Sequence, residues 1–292
     1  MRHDQGTFKG AGGLNLYYQS WQPQARIRAN LVIVHGLGSH SGWFNNLVQY
    51  LVPRGYRIYG FDLRGHGRSP GQRGHINTWA EFREDLSRFL QLIARRAPGL
   101  PCFLLGHSLG GAIALDYGLR FPQQLLGVIA IAPPLGKVGV SPLRIMIGRM
   151  LSWLWPNFSL NTGIDRTAGS RDPAIVTAYA DDPLRHTKGT ARLATEFLAT
   201  VAWLQAHAVD LQVPLLILQG GADRITAPQG SRTFFQQVAL LDKAWYEYVQ
   251  GYHDLQNDID YQDMLSDLGD WLELHLQELC PPTSNLVSVI SA

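Results

Sequence analysis

Ser108 stands within Gly106-His107-Ser108-Leu109-Gly110, followed by Gly111, and a serine spaced between glycines in this way can act as a nucleophile. In a G-x-S-x-G elbow the chain reverses sharply from strand to helix and lifts the hydroxyl clear of the sheet. The neighbours two positions away must then be nearly free of side chain. Gly106 and Gly110 meet that need. A serine hydroxyl is a poor nucleophile at neutral pH, so acyl transfer also requires a histidine to take its proton and a carboxylate to hold that histidine. On this elbow the order along the chain is serine, acid, histidine. Asp223, in Gln219-Gly220-Gly221-Ala222-Asp223-Arg224-Ile225 after the apolar run Leu215 to Leu218, is the expected acid, and His253 in Gly251-Tyr252-His253-Asp254 the expected base.

Other titratable residues fit these roles less well. His186 and His207 fall outside the strand-helix alternation and His275 lies late in the closing helix, so all three read as structural, while the elbow turns His107 away from its neighbour Ser108. Asp62 precedes the serine, and beside Arg64 it reads as a loop brace, through an ion pair or as an N–H acceptor; Asp258 and Asp260 read as a solvated face. The oxyanion of a tetrahedral intermediate needs two preset N–H donors. Leu109, opening the helix after the elbow, is expected to supply one, and Leu37, in His35-Gly36-Leu37-Gly38, the other, with His35 bracing that loop. Neither a metal nor a cofactor is expected: the histidines and acids lack spacings such as H-E-x-x-H, and Gly65-His66-Gly67 runs into Ser69-Pro70 rather than a helix.

The elements that must position these groups follow from apolar pattern. Cys102 to Leu105 reads as the strand feeding the elbow and Ala112 to Tyr117 as the helix leaving it. Leu31 to Val34 is a continuous apolar run, the mark of a parallel strand covered on both faces. Tyr56 to Phe61, Leu125 to Ala132, Leu215 to Leu218 and Trp245 to Val249 read as further strands, and Leu14 to Trp21 as an edge hairpin strand after Thr7 to Lys9. Helices are expected from Gly42 to Leu51, ended by Pro53, and from Tyr261 to Leu276. A Thr78/Glu81 capping box is expected to open a helix whose apolar face runs Trp79, Phe82, Leu86, Phe89 and Ile93. Alternation lapses between Pro134 and Pro214, where an insert holds the apolar stretch Leu143 to Leu160, polar Asn161 to Asp172 and a helix from Thr190 to Ala206. The result is an α/β class with a mostly parallel sheet, chemistry gathering at the carboxyl ends of the strands.

Composition sets the outer bounds. With 292 residues, 46% hydrophobic and 16% charged, the chain can bury a full core, and its net charge of +2, without a basic cluster, gives no case for nucleic acid. The cysteines are Cys102, in a strand, and Cys280, which points to a reducing compartment. Neither a signal-like start nor a long apolar run occurs, so a cytoplasmic location is expected.

In order, His35-Gly36-Leu37-Gly38-Ser39-His40-Ser41, Asp62-Leu63-Arg64-Gly65-His66-Gly67-Arg68-Ser69, the elbow, Tyr179-Ala180-Asp181-Asp182-Pro183-Leu184, Gly221-Ala222-Asp223-Arg224-Ile225 and Gly251-Tyr252-His253-Asp254 resemble α/β-hydrolases of the monoacylglycerol lipase and lysophospholipase group, the S33-like hydrolases. Leu109 departs from their frequent methionine and Asp254 from their frequent glutamate. The resemblance, which runs from about Leu14 to Leu276, implies an eight-stranded sheet in a core of residues 1–135 and 207–280, with a helical cap of residues 136–206 over Ser108; residues 281–292 read by themselves as a tail. It also implies a cofactor-free serine esterase that releases a fatty acid from a small lipid ester, a monoacylglycerol or lysophospholipid, through an acyl-enzyme, with Gly36, His107 and Ile225 as substrate contacts and Met150 and Trp153 lining an acyl tunnel. Ile145, Met146, Ile147, Met150, Leu151, Trp153, Leu154 and Trp155 suit such a tunnel, and equally a small cap core. A Trp-rich face flanked by Arg144 and Arg149 also suits peripheral contact with a membrane surface. The same triad would serve a thioesterase, peptidase or small-ester esterase, and the scaffold could hold a ligand without turnover.

Overall fold

Alternate residues of the central strands point into opposite layers, because side chains along a strand alternate in direction. Val32, Val34, Leu104, Val128, Leu215 and Ile217 join one apolar cluster; Leu31, Ile33, Phe103, Leu105, Ile129, Leu216 and Leu218 join the other. Both layers are buried, which is why these strands read as unbroken apolar runs rather than alternating ones.

The computed structural model describes residues 1–136 and 142–279. Its main sheet uses β1 (Arg2–Lys9), β2 (Asn15–Gln22), β3 (Ala29–Val34), β4 (Tyr56–Phe61), β5 (Cys102–His107) and β6 (Gly127–Ile131). After β7 (Ser159–Asn161) and β8 (Lys188–Thr190), which form a separate antiparallel ribbon, β9 (Leu215–Gly220) and β10 (Lys243–Tyr248) complete it. The spatial order is β1-β2-β4-β3-β5-β6-β9-β10, with β2 antiparallel to both its neighbours and the remaining pairs parallel. The helices are α1 (Asn45–Leu51), α2 (Ala80–Arg96), α3 (Leu109–Arg120), α4 (Pro142–Leu154), α5 (Pro173–Asp181), α6 (Ala191–His207), α7 (Pro228–Gln237) and α8 (Tyr261–Leu279). Phe82, Phe89, Ile113, Tyr117 and Phe234 place α2, α3 and α7 in the first layer; Leu47, Val48, Met264, Leu265 and Leu268 place α1 and α8 in the second. This is the α/β-hydrolase architecture, with α4, β7, α5, β8 and α6 inserted between β6 and β9. Among the described residues no helix is long and apolar enough to cross a membrane.

Several local expectations are corrected. The edge strand is β1, whose mostly polar, exposed residues hide it from a hydrophobicity pattern, and β2 lies inside it, held by backbone pairing to β1 and β4. Helix α1 begins only at Asn45, after a 3-10 turn at Ser41–Phe44, and Pro53 sits in a second such turn at Val52–Arg54. The Thr78/Glu81 capping box does not form. Glu81 instead accepts the Asn77 N–H and side-chain amide at 2.9 Å each and pairs with Arg64, while Glu196 of α6 accepts the Trp79 N–H at 2.8 Å. A carboxylate distant in sequence thus satisfies a free donor at the start of the helix. The tail at 281–292 and Cys280 lie outside the described residues, as do the side chains of Arg144 and Ile145.

Candidate active site

Strand β5 ends at His107, and the next residue turns the chain through a conformation that side-chain-bearing residues rarely adopt. Ser108 has φ 54° and ψ −124°. A Cβ on Gly106 would stand 2.1 Å from Gly110 O, and one on Gly110 2.0 Å from Val34 O, so no larger residue fits either position without displacing backbone. Ser108 N–H donates to Ile131 O at 2.9 Å, which ties the elbow to β6. The Ser108 side chain is half-buried at the wall of a cavity also lined by Gly36, Leu37, His107, Ile225 and His253.

Asp223 and His253 reach this cavity from the turns after β9 and β10. His253 Nδ1 lies 2.8 Å from Asp223 Oδ2, and Thr226 Oγ1 donates to the same oxygen at 2.7 Å. Asp223 Oδ1 accepts the N–H groups of Ile225 and Thr226 at 2.8 and 2.9 Å. Burial alone would push the Asp223 carboxyl up, yet the His253 and Thr226 hydrogen bonds hold it below the ordinary carboxylate value. Burial likewise lowers His253, but the hydrogen bond and charge of Asp223, joined by the charge of Asp254, lift its pKa above the ordinary histidine value. Both side-chain hydrogen bonds of His253 use Nδ1, so Nε2 has no partner among the described residues and remains available to a reacting group.

The loop after β3 closes over the serine. A Cβ on Gly36 would stand 3.0 Å from Ser108 Cβ, so glycine permits this approach. The N–H groups of Leu37 and Leu109 donate to no acceptor among the described residues, and Leu109 opens α3, where helix geometry leaves donors free. His35 braces the loop: it accepts the Leu63 N–H at Nε2 (2.9 Å), which leaves Nδ1 to donate to Gly36 O (2.8 Å), and burial pushes its pKa down to about 3, keeping it neutral.

Elsewhere the fold reassigns what sequence suggested. His107 is not turned out of the site: it lines the cavity, its Nε2 3.0 Å from Asp254 Oδ1 and its ring 4.9 Å from that of His253. His107, His253 and Asp254 bring ligand-type atoms within 4.8 Å of one another, a cluster that chain spacing could not reveal. His186 also lines the cavity, and burial holds its pKa down at about 4. Asp62 makes no pair with Arg64. It braces the loop in the other expected way, as an acceptor of the Ser41 and Arg68 N–H groups at 2.8 Å each, and Arg64 pairs with Asp85 at 2.7 Å. Asp258 is buried, not solvated, because it accepts the Tyr252 and Arg171 N–H groups and the Arg171 guanidinium. Met150 and Trp153 do not line the cavity; they are 52% and 78% exposed. The buried side of α4 faces α6 through Ser152, whose Oγ lies 2.9 Å from Thr195 Oγ1, and this turns Met150 and Trp153 outward. Trp43, Arg185 and Gln256 line the cavity without having been singled out, as does Tyr179, which opens the Tyr179-to-Leu184 motif that Arg185 directly follows.

The chain is 34% identical over 272 residues to a monoacylglycerol lipase of Mycolicibacterium smegmatis, covering 92% of this chain and 97% of that one. It is 30% identical to human monoglyceride lipase, covering 85% and 83% of the two chains. A crystal structure of Paleococcus ferrophilus monoacylglycerol lipase superposes with a TM-score of 0.82 at 32% identity, covering 89% of this chain and 99% of that one. The model of the family described as serine aminopeptidase, S33, matches residues 25–260. Through that match, which spans most of its length and includes Ser108, Asp223 and His253, the chain belongs to the S33 family of α/β-hydrolases.

Proposed function

We propose that this protein is a serine carboxylester hydrolase that releases the fatty acid from a monoacylglycerol through an acyl-enzyme. The observation that carries the reading is the 2.8 Å contact between His253 Nδ1 and Asp223, which leaves Nε2 available in the cavity that Ser108 lines. The relatives named for monoacylglycerol hydrolysis, matched along nearly their full lengths, support the substrate class.

In this reading Ser108 Oγ attacks the ester carbonyl while His253 Nε2 takes its proton, and the ionised Asp223 stabilises the imidazolium. The Leu37 and Leu109 N–H groups receive the oxyanion, a preset term that needs no reorganisation. The ester C–O bond breaks as His253 returns its proton to the glycerol oxygen. Water, deprotonated by the same nitrogen, then attacks the acyl-enzyme, and His253 returns that proton to Ser108 Oγ as the acyl C–O bond breaks and the fatty acid leaves. In the division expected from the sequence, the described residues 1–135 and 207–279 form the catalytic core, and residues 136 and 142–206 a cap above it. Met146, Ile147, Met150, Trp153, Leu154 and Trp155 expose an apolar strip on α4 and just beyond it, which suits transient contact with the lipid surface where substrate resides.

The test is hydrolysis of monooleoylglycerol beside dioleoylglycerol, trioleoylglycerol, lysophosphatidylcholine and p-nitrophenyl butyrate, with Ser108→Ala as blank. Faster turnover of single-chain esters is expected. Turnover of the short ester alone would sink the lipid assignment while keeping the serine chemistry.

A further inference from the structure

The loop between α5 and β8 carries a cation to the cavity over Ser108 and is anchored on both sides of it. Upstream, Asp182 Oδ2 accepts His40 Nε2 and Trp43 Nε1 at 2.7 Å each, and Oδ1 accepts the Leu184 N–H at 2.8 Å. Downstream, the His186 N–H donates to Gly38 O at 3.1 Å, an approach so close that a Cβ on Gly38 would stand 2.0 Å from His186 O. Both anchors join this loop to the segment after β3, so Arg185 is presented from a braced backbone.

Arg185 is half-buried and lines the cavity with Ser108 and His253. Its guanidinium lies 3.9 Å from the ring centre of Tyr179 and 5.7 Å from that of Trp43. Among the described residues it pairs with no carboxylate, because the acids nearby are engaged elsewhere. Asp182 serves His40 and Trp43, Asp254 faces His107 at 3.0 Å, and Asp165 accepts the Thr167 N–H and hydroxyl. A second polar group in the same wall, Gln256, is only 2% exposed, and among the described residues its Oε1 accepts no hydrogen bond, an acceptor suited to a donor such as the glycerol hydroxyl rather than to phosphate oxygen. A guanidinium offers a planar fork of donors that matches phosphate oxygens, and stacking on an aromatic ring fixes that fork in advance.

We propose that Arg185 is a specificity-determining residue that recognises the phosphate of a monoacylglycerol phosphate, directing this hydrolase toward single-chain lipids with an anionic head. The inference rests on the ester-hydrolase reading above. The carboxylic ester bond breaks as before, the phosphate ester stays intact, and a cationic choline head is disfavoured by the same charge. The oleate product presents the alternative anion for this site.

The experiment compares kcat/KM for monooleoylglycerol and for its phosphate in identical mixed micelles, using wild type, Arg185→Gln and Arg185→Lys. It is run above the acid limb of His253, because the charge of Arg185 also lowers the His253 pKa. Arg185→Gln should reduce the phosphate-to-neutral ratio about tenfold or more, whereas Arg185→Lys should keep it within about threefold. An unchanged ratio in Arg185→Gln overturns the proposal. Inhibition of p-nitrophenyl butyrate hydrolysis by monooleoylglycerol phosphate separates this failure from failure of the lipid reading, since it needs no lipid turnover. Inhibition that weakens in Arg185→Gln supports the site even if neither lipid is cleaved; inhibition by oleate alone, or by neither anion, overturns it.

Discussion

His107 Nε2 stands 3.0 Å from Asp254 Oδ1, so a second histidine–carboxylate pair lies against His253 and Asp223, with the two imidazole rings 4.9 Å apart. Burial alone would raise the Asp254 carboxyl, but the hydrogen bond and charge of His107, together with the charge of His253, hold it well below the carboxylate range. It is therefore a fixed negative charge beside the base.

That charge helps raise the His253 pKa. Only neutral His253 accepts the serine proton, so kcat/KM should fall on acidification through a limb above the usual histidine value of about 6.5. Asp254→Asn should move this limb to lower pH, as read from the pH profile on p-nitrophenyl butyrate. A limb that stays in place would show that Asp254 does not act on His253. Asp254 also contributes stability, in full above the unfolded carboxylate pKa of about 3.9 and lost as pH falls toward its depressed folded value. Asp254→Asn should thus cost roughly 2–4 kcal/mol near neutrality in denaturant titrations, the difference from wild type closing in strong acid.

Ser108→Ala should fold normally and lose about three orders of magnitude or more in turnover. Alanine retains the Cβ that makes φ 54° costly, whereas glycine does not. Ser108→Gly should accordingly be as inactive as Ser108→Ala yet more stable by about 1 kcal/mol in urea melts. Equal stability of the two variants would mean that the elbow stores no strain.

Asp223→Asn should keep the fold but reduce kcat by about 10³–10⁴-fold, because His253 loses the acceptor that fixes its tautomer and stabilises its charge. The residual activity should show its acid limb at lower pH, since Asp223 is the principal group raising the His253 pKa. Stopped assays across pH read both effects.

Replacing Met150 and Trp153 together by serine should leave hydrolysis of water-soluble p-nitrophenyl butyrate unchanged, because neither residue lines the cavity. Binding to phospholipid vesicles, followed by sedimentation, should weaken about tenfold or more, given two large apolar side chains lost from the strip. A change in acyl-length preference without a change in vesicle binding would return both residues to the tunnel role.

Much of the site was legible in the chain because its chemistry sits at element ends with short-range signatures. Gly106 and Gly110 announce the elbow, since no Cβ fits beside Val34 O or between Gly106 and Gly110. The apolar runs of β3, β5, β6 and β9 announce buried parallel strands, and the ends of β3, β5 and β9 then point to the Leu37 loop, Ser108 and Asp223. Polar groups and helix faces are another matter, because their surroundings come from segments far away in sequence. Asp258 looks solvated until Arg171 packs on it, Glu81 looks like a capping partner for Thr78 until Arg64 and Asn77 claim it, and α4 could line a tunnel until its contact with α6 turns Met150 and Trp153 outward. Apolar periodicity and glycine sterics act within a few residues and can be read in one dimension; the burial of a charge depends on what docks against it, and only the folded chain supplies that.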